Sequence, residues 1–290
     1  MIVPLRVVLE GLCAAYRRGS TLVLLFDYDG TLTRIAARPS LAVLDNHTRR
    51  LLASLADRPR VSLGILSGRQ LDELKALVRL PKLYLAGTGG LDLDLRGTRV
   101  EHPQAGRAAA LMRQLAARFA RELPAYQGAW LEEKRLGLAV HYRQLPEDLV
   151  APLRAKVEKV TQDSASELRI VEGPKAWEIT PAWGWTKGTA VRLILGHLQA
   201  NRHTLFYAGD GANDSEAMEV VAALGGIAVG IGPHAPSSAR CQLPDPGALR
   251  AFLANLDASL EKCKSGTARS CGGPLARRGS GKPTLPSGPA

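Results

Sequence analysis

Residues 22–33 read LVLLFDYDGTLT. Five apolar residues run straight into two aspartates, Asp27 and Asp29, with Gly30 and Thr31 following at once. A short apolar run of this kind predicts a buried strand. Buried carboxylates are costly to desolvate unless a cation or donor compensates them. The stretch therefore predicts that distant parts of the chain converge on the end of this strand.

The neighbouring segments supply the frame. A helix is predicted at 45–57, where Thr48, Leu51, Leu52 and Leu55 recur at helical spacing. VSLGILSG (61–68) reads as a strand, 70–79 as a helix and LYLAG (83–87) as another strand. This alternation argues for a doubly wound α/β parallel sheet. The pattern changes near residue 103: a helix (105–122), a hairpin AWLEEK/LGLAVHYR, a helix (147–161) and a second hairpin LRIVEG/KAWEIT. After Pro181 the α/β rhythm returns, with a helix at 186–199, the strand ending HTLFYAGD, a helix at 215–224 and the strand GIAVGI. The reading is a core of residues 1–103 and 179–258, interrupted by an α+β cap of residues 104–178. Residues 259–290 read as a disordered basic tail.

Composition narrows the class. The 290 residues are 46% hydrophobic, enough for a sizeable core. The formal net charge is +11, but Lys262, Lys264, Arg269, Arg277, Arg278 and Lys282 fall in a Gly-, Ser- and Pro-rich end that carries no acid. That placement argues against a nucleic-acid partner. No run approaches the length of a membrane span. The four cysteines form no CxxC pair, which predicts a reducing cytoplasm.

In an open α/β sheet, ligands gather at the carboxyl ends of the strands. The polar residues expected there are Asp27 and Asp29, Ser67 to Arg69, and Asp210 to Asp214. Asp27, Asp29, Asp210 and Asp214 cannot all ionise together without a cation, and an all-oxygen site suits Mg²⁺. Such a site would attract phosphate. Ser67 and the backbone N–H groups near Gly30 could donate to it, and Lys187, in TKG at a helix start, could neutralise it. One aspartate could then attack phosphorus, while a second carboxylate protonates the leaving oxygen.

DYDGT, the SGR at 67–69, the lysine of TKG and GDGAND, taken in that order, resemble the haloacid dehalogenase (HAD) superfamily. The resemblance implies Asp27 as nucleophile, Asp29 as general acid/base, and Ser67 and Lys187 as phosphate holders. It implies Mg²⁺ bound by Asp27, the carbonyl of Asp29 and Asp210, supported by Asp214. A narrower resemblance, over about residues 20–255, is to the trehalose-6-phosphate phosphatase family. It rests on DYDGTLTRIAARPSLA, ILSGRQLDEL, LYLAGTGGLDL, LEEKRLGLAVHYR and WEITPAWGWTKG. It implies a sugar grip by Arg69, Glu132, Lys134, His141, Arg143 and Glu178, and a functional link to a trehalose-phosphate synthase. Strand alternation agrees in part: Leu136, Leu138, Val140 and Tyr142 alternate with Gly137, Ala139, His141 and Arg143, leaving the second set on the open face with room for a ligand.

Two departures bear on the substrate. GDGAND stands where that family usually has GDDxTD, so Gly211 replaces an acid and Asn213 a threonine. GTGG (87–90) lacks the histidine often found before its last glycine. The alternatives are another glycosyl-phosphate phosphatase, acting on sucrose phosphate or mannosyl-3-phosphoglycerate, and a non-catalytic sugar-phosphate sensor.

Overall fold

The computed structural model describes residues 3–36, 39–173, 175–183 and 185–267. The first part of the core comprises α1 (Leu5–Arg17), β1 (Thr21–Phe26), α2 (Asn46–Ala56), β2 (Val61–Leu66), α3 (Leu71–Val78), β3 (Tyr84–Gly87), β4 (Asp92–Leu95) and β5 (Thr98–Glu101). The cap follows as α4 (Ala105–Glu122), β6 (Trp130–Lys134), β7 (Gly137–His141), α5 (Val150–Thr161), β8 (Leu168–Gly173) and β9 (Ala176–Pro181). The core resumes with α6 (Lys187–Leu198), β10 (His203–Gly209), α7 (Ser215–Ala223), β11 (Ile227–Ile231), β12 (Cys241–Leu243) and α8 (Pro246–Thr267).

The core sheet runs β12-β11-β10-β1-β2-β3-β4-β5. β1 is central because it pairs in parallel with β10 on one side and β2 on the other. Both faces are covered. Leu22, Leu24 and Phe26 pack with α1 and α8, whereas Val23 and Leu25 pack with α6 and α7. Burial on both faces explains why LVLLF is continuously apolar rather than alternating. The sheet is not wholly parallel: β4 and β5 add an antiparallel edge that the strand reading omits. Their turn is Arg96-Gly97, both residues with positive φ, as a tight hairpin requires.

The cap is a separate antiparallel sheet, β6-β7-β9-β8. Leu138, Val140, Trp177 and Ile179 face Met112 and Phe119 of α4 and Val157 of α5. Period-two alternation then leaves Glu132, Lys134, Ala139, His141 and Glu178 on the open face. β9 continues to Pro181, three residues past the expected cap boundary. α8 likewise passes residue 258 and reaches Thr267. The rest of the expected tail, with Arg269, Cys271, Arg277, Arg278 and Lys282, lies outside the described residues. Among the described residues, no helix is long and apolar enough to cross a membrane.

β2 carries Gly64 where a Cβ would sit 2.7 Å from Leu25 Cδ2 and 3.2 Å from Tyr84 Cβ. Gly64→Val should therefore cost about 1–3 kcal/mol by overpacking. The check is a lower denaturant midpoint with unchanged slope; an unaltered midpoint would contradict this packing.

Candidate active site

β1 and β10 end together, with Phe26 opposite Ala208. The chain leaves β1 into Asp27 and β10, through Gly209, into Asp210. Lys187 starts α6 and is capped there by Thr186, whose side chain accepts from the N–H groups of Gly188 and Thr189. A lysine in the first turn opposes the helix dipole. The opposition is offset by two carboxylates: Lys187 Nζ donates to Asp27 Oδ1 at 2.6 Å and to Asp214 Oδ1 at 2.7 Å. All three side chains are buried.

The two carboxylates are in different states. Asp214 is fully engaged: Oδ1 also accepts from Tyr207 Oη at 2.6 Å, and Oδ2 accepts from the N–H groups of Asp210 and Gly211 at 3.0 and 3.2 Å. Asp27 has one oxygen held by Lys187, while Oδ2 is buried and has no hydrogen-bond partner. Burial pushes the Asp27 carboxyl well above the usual range; Lys187 opposes this, and Asp214 and Asp210 add to it. Asp210 is pushed up to about 7, first by burial and then by Asp214. Burial would depress the Lys187 ammonium, but Asp214 and Asp27 hold it above the ordinary lysine value.

Asp27, Asp210 and Asp214 each offer an oxygen within 4.8 Å of the others. Gly30 has φ +83°, and a Cβ there would lie 1.9 Å from Asp210 Oδ2. Only glycine lets the turn after β1 close around that carboxylate. An orphaned buried oxygen, a carboxyl with raised affinity for protons and an all-oxygen donor set fit a hard divalent cation such as Mg²⁺.

The loop after β2 supplies the next groups. Ser67 Oγ accepts from the Arg69 N–H at 3.2 Å, so its hydroxyl proton is free to donate elsewhere. Ser67 does not cap α3, whose preceding residue is Gln70. The GTGG segment fastens this loop: Thr88 N–H donates to Arg69 O and Gly89 N–H to Ser67 O. Gly90 packs where a Cβ would strike Thr186 O at 2.2 Å, joining the same segment to the start of α6. Arg69 is buried and grips Asp29 with two parallel bonds of 2.7 and 2.8 Å. It also pairs with Glu73.

The open face of the cap sheet sits over these loops. Gly68 lies so close to Glu178 that a Cβ would meet its Oε1 at 2.7 Å. Lys134 Nζ is buried, 3.4 Å from Glu178 Oε1 and 4.0 Å from Glu132 Oε1. Burial would lower its basicity, but Glu178 and Glu132 more than reverse this. Glu132 Oε2 lies 2.7 Å from His141 Nε2, and the His141 ring stacks on Trp130 at 3.9 Å between centroids.

Two expectations about this face change. β7 ends at His141, so Arg143 falls in the exposed turn beyond it rather than in the alternating row. The space beside Gly137 is filled by Thr88, whose Cγ2 would lie 3.3 Å from a Cβ at that position. The small residue between Glu132 and Glu178 is Ala139, which pairs with both. Two groups escape the sequence reading. Tyr207 resembles any core aromatic in an apolar strand. Arg169 lines the cleft with Asn213 and Lys187, donates to Glu216 across the domain boundary at 2.6 Å, and keeps its Nε buried without a partner. Alternation along LRIVEG would have placed Arg169 on the open face.

The trehalose-phosphatase family model matches residues 25–246. The trehalose-phosphate phosphatase of Mycobacterium tuberculosis (strain ATCC 25618 / H37Rv) is 34% identical over 200 residues, covering 68% of this chain and 50% of that protein. A trehalose 6-phosphate phosphatase of Zea mays is 31% identical over 266 residues, covering 85% of this chain and 72% of that protein. This chain thus spans about half the length of the mycobacterial relative. The C-terminal domain of the C. albicans trehalose-6-phosphate phosphatase shares the fold, with TM-score 0.77 and 21% identity over 89% of this chain and 97% of that one. With its α/β core, the inserted antiparallel-sheet unit and the matching sequence, the chain belongs to the trehalose-phosphatase family.

Proposed function

We propose that the protein is a Mg²⁺-dependent phosphatase that hydrolyses trehalose 6-phosphate to trehalose and phosphate. The observation that carries the reading is Asp27: one oxygen is pinned by Lys187 and the other is buried within the acidic cluster without a partner. That is the state a carboxylate nucleophile needs. Its free oxygen forms a bond to phosphorus as the bond from phosphorus to the sugar oxygen breaks, and Asp29, once it has left the Arg69 fork and taken a proton from solvent, gives that oxygen its proton. Water then attacks the aspartyl phosphate, Asp29 takes up the proton, and phosphate leaves with Asp27 restored. An ammonium has three donors, so Lys187 keeps one for a phosphate oxygen beside its two carboxylates, and Ser67 supplies another. Mg²⁺, held by Asp27, Asp210 and the Asp29 carbonyl, would neutralise charge on the transferring group. The role of Asp214 is to position: its four accepted bonds hold Lys187 and the Asp210–Gly211 backbone in place.

The cap is the sugar grip in this reading. Glu132, Lys134, His141 and Glu178 present a row of charged and polar groups to sugar hydroxyls, and the positive charge of Arg69 in the core acts on Glu132 of that row. Arg143, in the turn after β7, is proposed as a further sugar contact at the end of that row. The free cysteines Cys13, Cys241 and Cys263 suit a reducing cytoplasm, and a synthase making trehalose 6-phosphate would be the functional partner. Gly211 and Asn213 favour a second reading, another glycosyl phosphate as substrate. Phosphate release from trehalose 6-phosphate, sucrose phosphate and mannosyl-3-phosphoglycerate, with and without EDTA, decides between them.

In the same assay, Asp27→Asn should reduce turnover by on the order of 10³-fold or more with the fold intact; substantial residual activity would remove Asp27 as nucleophile. Glu132→Ala or Glu178→Ala should raise KM for trehalose 6-phosphate about tenfold, the loss of one charge-assisted hydrogen bond, and leave p-nitrophenyl phosphate nearly unaffected. Equal changes for both substrates would argue against a sugar-gripping cap. A carboxyl at about 7 on Asp210 must lose its proton before it binds metal. Apparent Mg²⁺ affinity should therefore fall about tenfold from about pH 8 to about pH 6. Calorimetric titration checks this, and a pH-independent affinity would contradict a metal site built on carboxyls that hold their protons in this range.

A further inference from the structure

The catalytic groups occupy the carboxyl ends of the strands. At the other end of the sheet, roughly 20 Å away along the six residues of β1, lies a second cavity of about 560 Å³. It opens beside Thr21 and Val61, where β1 and β2 begin. Its size is in the range of small-molecule sites. Its charged lining residues are Arg58, Arg60, Lys82 and Arg96, and no Asp or Glu lines it.

These cations have different duties. Arg58 is buried and tied from behind by Asp257 and Glu261, both at 2.5 Å, so it is part of the framework. Lys82 has one exposed, stretched contact with Asp57 at 3.5 Å. Among the described residues, Arg60 and Arg96 have no carboxylate partner. Arg60 donates one N–H to Tyr16 O at 3.4 Å and lies over the Tyr16 ring at 4.8 Å. Arg96 donates one N–H to Ser62 Oγ at 3.0 Å and lies over the Tyr84 ring at 4.6 Å. A guanidinium carries five N–H donors in a planar fork. Each of these two is braced on an aromatic plate with most of its fork unspent, which suits bidentate recognition of phosphate.

The backbone points the same way. Among the described residues, four of the seven non-glycine residues with left-handed φ line this one cavity: Arg60, Lys82, Arg96 and Gln199. Gln199 ends α6 and Arg96 turns a hairpin, positions that glycine or asparagine fill at lower cost. Long polar side chains stand there instead, and three of the four are cationic. Like charges gathered around a cavity without an acid repel one another until an anion enters.

We propose that this cavity is a second anion site, one that binds a small molecule bearing two or more phosphate-type groups through Arg60, Arg96 and Lys82. It is separate from the catalytic cluster and does not depend on the substrate assigned above. The probe is inorganic tripolyphosphate, titrated calorimetrically into the full chain in EDTA. The expected result is saturable one-to-one binding, with Kd at or below about 1 mM, that weakens as salt is raised. Arg60→Ser with Arg96→Ser should raise Kd at least about tenfold, and Lys82→Ser alone should raise it by a smaller factor. Lys187→Met, in the catalytic cluster, should leave it unchanged. Thermal unfolding of each variant establishes that it is folded before its titration is read. Absence of saturable binding to the wild type overturns the proposal. So does binding that survives loss of both arginines, or that is lost in Lys187→Met.

Discussion

The bond from Lys187 to Asp27 and Asp214 joins three separate parts of the core: the end of β1, the start of α6 and the turn before α7. None of the three charges is tolerable alone. Removing one partner from a buried cluster of this kind leaves an uncompensated charge, at a cost of about 3–5 kcal/mol. The arrangement is therefore held by mutual need rather than by net stabilisation. It also divides the carboxylates. Asp214 takes four hydrogen bonds and has no capacity to spare, whereas Asp27 takes one and keeps an oxygen unengaged.

The glycines in this region follow from the same constraint. Gly30 admits Asp210, and Gly209 admits Asp214, whose Cγ would lie 2.4 Å from a Cβ at residue 209. Gly90 admits the backbone that carries Lys187. Each glycine faces a member of the charged cluster or its immediate support. The motifs DYDGT, GTGG and AGDG are thus as much about steric access to buried charge as about turn geometry.

How much of this could be read from sequence depended on local contrast. Where an apolar strand stops abruptly at a carboxylate, as at Phe26-Asp27 and Ala208-Gly209-Asp210, the strand end and the site are legible together. Lys187 was legible because a lysine at a helix start is out of place unless an anion compensates it. Tyr207 was not, because its neighbours make it look like core and its hydroxyl partner lies across a turn. β4 and β5 carry Asp92, Asp94 and Arg99 in short segments, so their hydrophobic pattern is weak; pairing with β3 supplies what the local sequence does not. α8 did leave a signal, with Leu249, Phe252, Leu253, Leu256 and Leu260 at helical spacing and all buried. The basic composition that follows drew the reading toward a tail. Arg143 follows His141, where the strand has already ended, so alternation along LGLAVHYR does not fix which face it takes.

An ion pair joins cap to core and a second, buried cluster lies within the cap, and their difference bears on motion. Arg169–Glu216 spans the boundary with side chains 37% and 47% exposed, and such a pair is worth at most about 1 kcal/mol. It can break without threatening either domain. Lys134, by contrast, is buried between Glu132 and Glu178 on the cap side. Exposing that trio to water loosens its mutual attraction but restores its hydration, so opening carries little electrostatic penalty. Closing over water alone gains correspondingly little. Closing over a ligand whose hydroxyls satisfy those three charged groups gains more, because a hydrogen bond to a charged group is stronger than one between neutral partners. Under the proposed function, such a balance would favour closure over a sugar and release once it has gone, as a lid over a water-sensitive transfer step requires.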